Sequence, residues 1–169
     1  MSLSMVDWAL LLSWPPRTDT ILVVGFFALM IIYGVTAGKE KVMVTFASLY
    51  MALGMASFLP VRDFLPASSG ENAFALAASL FVVLFALTYV FLGRTSLGDA
   101  MIGRGSTWSV VVMTFLQTGL LVAIFVSFVP TPDLSAWLSE PMQVLFAWPV
   151  AKAAWTLVPL GALFALDRG

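Results

Sequence analysis

Apolar residues in this chain fall in long unbroken blocks separated by short polar breaks, without the period-two alternation of a half-buried strand. Four blocks, Ile21–Ala37, Val42–Leu59, Ala73–Leu92 and Ser109–Val129, contain no Asp, Glu, Lys or Arg. A helix rises about 1.5 Å per residue, and the hydrocarbon core of a bilayer is roughly 30 Å thick, so about 20 apolar residues cross it. The pattern predicts an all-α fold, a polytopic transmembrane helical bundle of four spans forming one membrane domain over residues 1–169. Its punctuation agrees. Asp19 and Thr20 precede the first block, and Gly38, Lys39, Glu40 and Lys41 close it as a charged turn. Pro60 ends the second, and Ser68 with Glu71 offers a capping box ahead of the third. Gly93 and Arg94 end the third; Pro130 and Pro132 stop the fourth, because proline lacks an amide donor and clashes with the preceding turn.

Past Pro132 the pattern is broken by Pro141, Pro149 and Pro159. Leu134–Ala147 reads as a short surface helix, with Trp137, Leu138, Met142, Leu145 and Phe146 on its apolar side and Ser135, Ser139 and Glu140 elsewhere. Val150–Leu166 is borderline in length, with Lys152 near its start and Pro159 inside, which leaves a short fifth span and a re-entrant segment both open. Ahead of the first span, Met5, Trp8, Leu11, Leu12 and Trp14 form an interfacial patch cut off by Pro15 and Pro16. No Lys or Arg precedes Arg17 and no small-residue cleavage site follows the first span, so that helix is expected to remain as an anchor.

Composition narrows the chemistry. Hydrophobic residues make up 61% of the chain and charged residues 10%, with a mean hydropathy of +1.02. A soluble domain is about 45–50% apolar and about 25% charged, so too little polar side chain is available to coat a water-facing surface. With no Cys and no His, disulfides, thiolate sites and imidazole chemistry are excluded. No catalytic constellation, metal site or cofactor is expected. The net charge of -1 supplies no basic face, so nucleic acid is not an expected partner. The expected partners are the lipid bilayer and either further copies of this chain or another membrane protein.

Cations favour the cytoplasmic side of short loops. Lys39, Lys41, Arg94 and Arg104 fall on one side of the predicted bundle, whereas Arg17 and Arg62, with Asp133 and Glu140, fall on the other. This places the N-terminus outside a bacterial cytoplasmic membrane. Trp8, Trp14, Trp108, Trp137 and Trp148 all lie at predicted span ends or surface segments, where an amphipathic indole is best accommodated.

Small residues recur four apart at Gly34 and Gly38, at Ser48, Ala52 and Ala56, at Ala73 and Ala77, and at Gly119 and Ala123. Such spacing lets helix backbones approach closely, either within the bundle or between copies. Gln117, with Thr114 and Thr118 beside it, is the most polar residue inside a span; a buried amide must find partners, for which Tyr33, Ser48 and Tyr50 are candidates. These three residues read as an interhelical clamp or as the lining of a solute path. Lys39, Glu40 and Lys41, with Arg94 and Arg104, form the expected cytoplasmic surface, where each cation near anionic headgroups is worth about 1 kcal/mol. The glycine-rich stretch 93–107 lacks the Gly-Lys-Ser/Thr ending and the preceding strand of a phosphate-binding loop.

From Asp19 to Ala56 the chain resembles the colicin V production protein family, in an Asp opening the first span, the Gly34-x-x-x-Gly38 exit, charges at once, and a second span holding Gly54 and Ala56. That family shows an Arg-Gly-aromatic step followed by an acidic residue where this chain reads Ala37-Gly38-Lys39-Glu40-Lys41. The run from Thr114 to Ala123, Ser127-Phe-Val-Pro130 and Trp155-x-x-x-Pro159 look like uncharacterised four-span proteins of reduced-genome bacteria. The resemblance implies an inner-membrane protein tied to envelope homeostasis or toxin export. The first expectation for function is therefore a non-enzymatic scaffold or assembly component. The second is a channel or transporter subunit that forms a pore as an oligomer, and the third a lipid-handling enzyme using Asp99 or Glu40.

Overall fold

The computed structural model describes residues 18–59, 70–95, 107–130 and 134–167, and among them there is no strand. The long helices are α1 (Thr18–Ala37), α2 (Lys39–Phe58), α3 (Gly70–Gly93) and α4 (Thr107–Phe128). Two short helices follow, α5 (Leu134–Trp137) and α6 (Glu140–Met142), the second running into a π-helical turn over Gln143–Ala147. The last helix is α7 (Pro149–Asp167). Helices α1, α2 and α4, together with Phe74–Gly93 of α3, are each long and apolar enough to cross a membrane.

The surface of the bundle shows what solvent it is built for. Leu22 and Leu29 of α1 are each 67% exposed, Phe91 of α3 64%, and Val150 and Phe164 of α7 70%. In water such a contiguous apolar surface would aggregate; in hydrocarbon it is the outer wall. The protein is an integral, multi-pass membrane protein.

Helix α4 is the hub. More than half of its span is buried, 56% against 6% for α1, and it packs against α1, α2, α3, the π-helical turn and α7. Lipid tails are as apolar as leucine, so close packing and interhelical hydrogen bonds must hold the helices together. Small side chains accordingly line the contacts: Ala52 is fully buried and Ala123 is 4% exposed. Contacts fix the directions. Thr88 of α3 donates to the Ser48 carbonyl of α2 at 3.2 Å, and these helices form the most extensive pair. Phe81 joins Leu49, Ala52, Leu120 and Ile124 in one core cluster, while Val42, Met43 and Phe46 meet Val110 and Met113 in another. Helix α2 thus runs parallel to α4. Helix α1 runs antiparallel to it, with Val23 and Phe27 near Ala123 and Val126, and Gly34 at Thr114.

The reversal between α1 and α2 is made by one residue. Gly38 has φ 85 and ψ 167, a region open in practice only to glycine, and its surroundings are empty within 4 Å. The charged stretch expected as a turn is instead the first turn of α2: helix resumes at Lys39, and the Val42 amide donates to the Gly38 carbonyl at 3.3 Å. Glu40 then lies where the positive end of the helix dipole favours an anion.

The C-terminal region departs from the continuous surface helix expected over Leu134–Ala147. Leu138 and Ser139 separate α5 from α6, Met142 and Phe146 are buried at 6% and 1% exposure, and both pack against Ala123 and Val126 of α4. Trp137 stays 61% exposed and meets Phe74 edge-on, with ring centroids 5.7 Å apart. The axis bends by 52° between Glu140–Ala147 and Pro149–Ala165. Beyond the bend, Trp155 lies at Gly119, and Ala162 and Leu163 pack on the cluster of Val110 and Met113. Residues 140–167 therefore follow α4 from one end to the other in the opposite direction, as a broken fifth crossing does.

Candidate functional site

Irregular backbone at membrane depth is tolerated only where something inside the protein satisfies its freed polar groups. Three such places are met by side chains of this chain. The Leu145 carbonyl would normally accept from the residue four ahead, which is Pro149 and has no N–H; the indole Nε1 of Trp155 donates to it instead, at 2.9 Å. Within α7, Pro159 interrupts the helical ladder, and the Tyr50 hydroxyl of α2 donates to the neighbouring Thr156 carbonyl at 2.7 Å. At the start of the segment the Ser139 amide donates to Asp19 Oδ2 of α1 at 2.7 Å. The π-helical turn carries its own bond, Trp148 N–H to the Gln143 carbonyl at 3.1 Å, and the Gln143 amide reaches the Leu138 carbonyl at 2.8 Å.

Trp155 is the anchor of this region. Its ring stacks on Phe146 at 5.6 Å and 13°, with Phe27 and Phe115 at 6.5 and 6.1 Å. It fills the notch left by Gly119, where any Cβ would collide with the indole. Gly34 makes the matching notch on α1 and is the one buried residue of that helix: a Cβ there would meet the Thr114 methyl at 2.8 Å and collide with its hydroxyl.

The polar row of α4 lies inside the single chain. Thr114 and Thr118 are fully buried and Gln117 is 3% exposed. Thr118 donates back to the Thr114 carbonyl at 2.6 Å, and Ser48 likewise to Val44 at 2.7 Å. Thr88 has three carbonyls within reach, Ser48, Leu84 and Phe85, and a single proton to share among them. Gln117 does not reach the partners expected for it. Tyr33 lies beside Tyr89, Tyr50 is engaged at Thr156 and Ser48 bonds within its own helix. The oxygens Thr114 Oγ1 and Gln117 Oε1 have no hydrogen-bond partner.

Of the other residues singled out in the sequence, Ser48, Ala52 and Ala123 are buried, and Ala56 packs against the cluster of Phe81 and Leu120. Ala77 is half-buried, and Gly38 serves the reversal without touching a neighbour. The side chains of Ala73 and Glu71, and residues Ser68, Asp99, Arg104, Pro132 and the stretch before Arg17 with Met5, Trp8 and Trp14, lie outside the described residues. Lys41, Glu40 and Arg94 are exposed and Lys39 half-exposed. The antiparallel register through Ser48 and Thr88 brings Lys41 and Arg94 to the same end of the bundle. Asp19, Ser139 and Glu140 mark the other. Among the described residues no group of His, Cys, Asp and Glu could hold a metal ion.

Compared with family models, curated proteins and solved structures, the chain matches none. The functional reading therefore rests on its own residues. Sequence reasoning missed Trp155, Tyr50, Thr88 and Asp19 as structural clamps. The signal for the first was present in Pro149, which announces a Leu145 carbonyl in need of another donor; Tyr50 serves the Thr156 carbonyl, whose partner in the ladder no proline removes.

Proposed function

We propose that this is a non-enzymatic integral membrane protein of a bacterial cytoplasmic membrane, acting as a scaffold or assembly partner through its helix faces. The observation that carries the reading is the unequal use of the helices. The polar side chains of α4 are enclosed within the bundle and the indole of Trp155 in α7 is consumed in holding it together, while α1 touches the bundle through Asp19, Val23, Phe27 and Gly34 and turns Ile21, Leu22, Val24, Leu29 and Ile32 outward. A helix that packs along one stripe only offers its remaining surface to another transmembrane helix. The local likeness of residues 19–56 to colicin V production proteins supports a role in the envelope. The grouping of Lys39, Lys41 and Arg94 at one end supports a cytoplasmic location for that end and an N-terminus outside.

The pore reading is less well supported. A pore formed by oligomerisation needs its lining on an outer face, and Thr114, Gln117 and Thr118 are enclosed within one chain. The test is photo-crosslinking in native membranes from positions 22 and 29 of α1, with positions 83 and 87 of α3 as a second face. Discrete protein adducts from α1, to a second copy or to another membrane protein, support assembly. Adducts to lipid alone from both faces refute it, and solute flux in proteoliposomes that Gln117→Leu abolishes would move the reading to a pore.

A further inference from the structure

Buried polar groups in a native interior are nearly always paired, and in this bundle Ser48, Thr88, Thr118, Tyr50 and Trp155 all are. Gln117 Oε1 and Thr114 Oγ1 are the exceptions inside α4, in side chains 3% and 0% exposed. Three residues apart on a helix, they are neighbours on one face. Helix α1 closes one side of that face, because Gly34 lies against the Thr114 side chain. Helix α2 closes another: Gln117 falls between Met113, packed on Val42, Met43 and Phe46, and Leu120, packed on Leu49 and Ala52.

We propose that Gln117 and Thr114 hold one water molecule between α1, α2 and α4, which donates one proton to Gln117 Oε1 and shares a hydrogen bond with the Thr114 hydroxyl. The chemistry selects this guest. Gln117 Oε1 can only accept, whereas the Thr114 hydroxyl both donates and accepts, and a water molecule can donate to the first while donating to or accepting from the second. None of the four long spans carries an Asp, Glu, Lys or Arg at this depth, so an ion would find no countercharge there. A larger polar solute has no place in a contact close enough for glycine to touch threonine. This inference is independent of the assembly reading.

Glutamine occurs in the chain only at positions 117 and 143, so glutamine-selective labelling of the side-chain amide with nitrogen-15 reports two amide groups and leaves Asn72 silent. The Gln143 amide, bonded to the Leu138 carbonyl at 2.8 Å, serves as the internal reference, assigned by its loss in Gln143→Glu. In the intact protein in detergent or nanodiscs, the Gln117 amide is expected to show magnetisation transfer at the water frequency from a long-lived site. Thr114→Val should abolish that cross-peak, and Thr114→Ser, which keeps the hydroxyl, should retain it. A folded wild-type protein whose Gln117 amide shows no water transfer overturns the proposal, whether or not the variants fold. Transfer from a resonance other than water identifies a different guest and overturns it too. A water cross-peak unchanged in a folded Thr114→Val protein contradicts the shared site.

Discussion

Gly119→Ala adds one methyl group at the point where α4 and α7 touch, and the notch is already filled. The new Cβ would fall on the six-membered ring of Trp155, striking a rigid ring instead of a flexible chain end. The ring cannot yield freely, because its nitrogen is bonded to the Leu145 carbonyl at 2.9 Å and its face stacks on Phe146 at 5.6 Å. Overpacking of this kind costs about 1–3 kcal/mol. Displacing the indole also breaks a hydrogen bond worth about 1 kcal/mol and strands a carbonyl that Pro149 cannot serve, so the sum is about 2–4 kcal/mol. The assay is reversible unfolding in mixed micelles, read by far-UV circular dichroism, with Gly25→Ala as control. Gly25 has nothing within 4 Å, so its substitution should be neutral or stabilising by up to about 1 kcal/mol. Trp155→Leu in the Gly119→Ala background should cost less than the two changes added, because the clash has gone. If Gly119→Ala unfolds within about 0.5 kcal/mol of its Gly25 counterpart, the packing argument for α7 is wrong.

Gly38→Ala should destabilise by about 1–3 kcal/mol although the added methyl would meet nothing within 4 Å, because the backbone at φ 85 and ψ 167 is closed to alanine; a wild-type unfolding midpoint would contradict this. Tyr50→Phe removes the donor to Thr156 and should cost about 0.6–1.7 kcal/mol in the same titration, with an intact fold by circular dichroism. Asp19→Ala strips the Ser139 amide of its acceptor, and faster hydrogen exchange at Ser139 with little change at Phe81 or Leu120 is the expected readout.

Much of the architecture was legible in the sequence because bilayer thickness imposes a length on every crossing. The blocks free of ionisable residues coincide with α1 to α4 to within a few residues, and the stops at Gly38, Gly93 and Pro130 follow from backbone chemistry alone. Gly34 and Gly119 were legible as places of close approach, though not which side chains would fill them: Thr114 and Trp155 are distant in sequence from the glycines they meet or lie on another helix. The C-terminal region was harder, since three prolines in an apolar stretch fit a surface helix, a re-entrant segment or a broken span equally well until the donors for the freed carbonyls are known. For the Leu145 carbonyl that Pro149 leaves bare, the donor is Trp155 of the following helix. The charged group 39–41 was read as a loop because charge usually marks solvent; one glycine makes the reversal, and the charges belong to a helix end.

The account stands or falls on the path of the chain through lipid, including the bent crossing by residues 140–167. With no native cysteine, single cysteines can be placed at Lys41, Arg94, Glu140 and Asp167 and labelled with a membrane-impermeant maleimide in sealed vesicles of known orientation. Positions 41, 94 and 167 should react from one side of the membrane and position 140 from the other. Labelling of 140 and 167 from the same side would show that the C-terminal segment turns back without crossing, and equal labelling of 41 and 140 from one side would contradict the bundle itself.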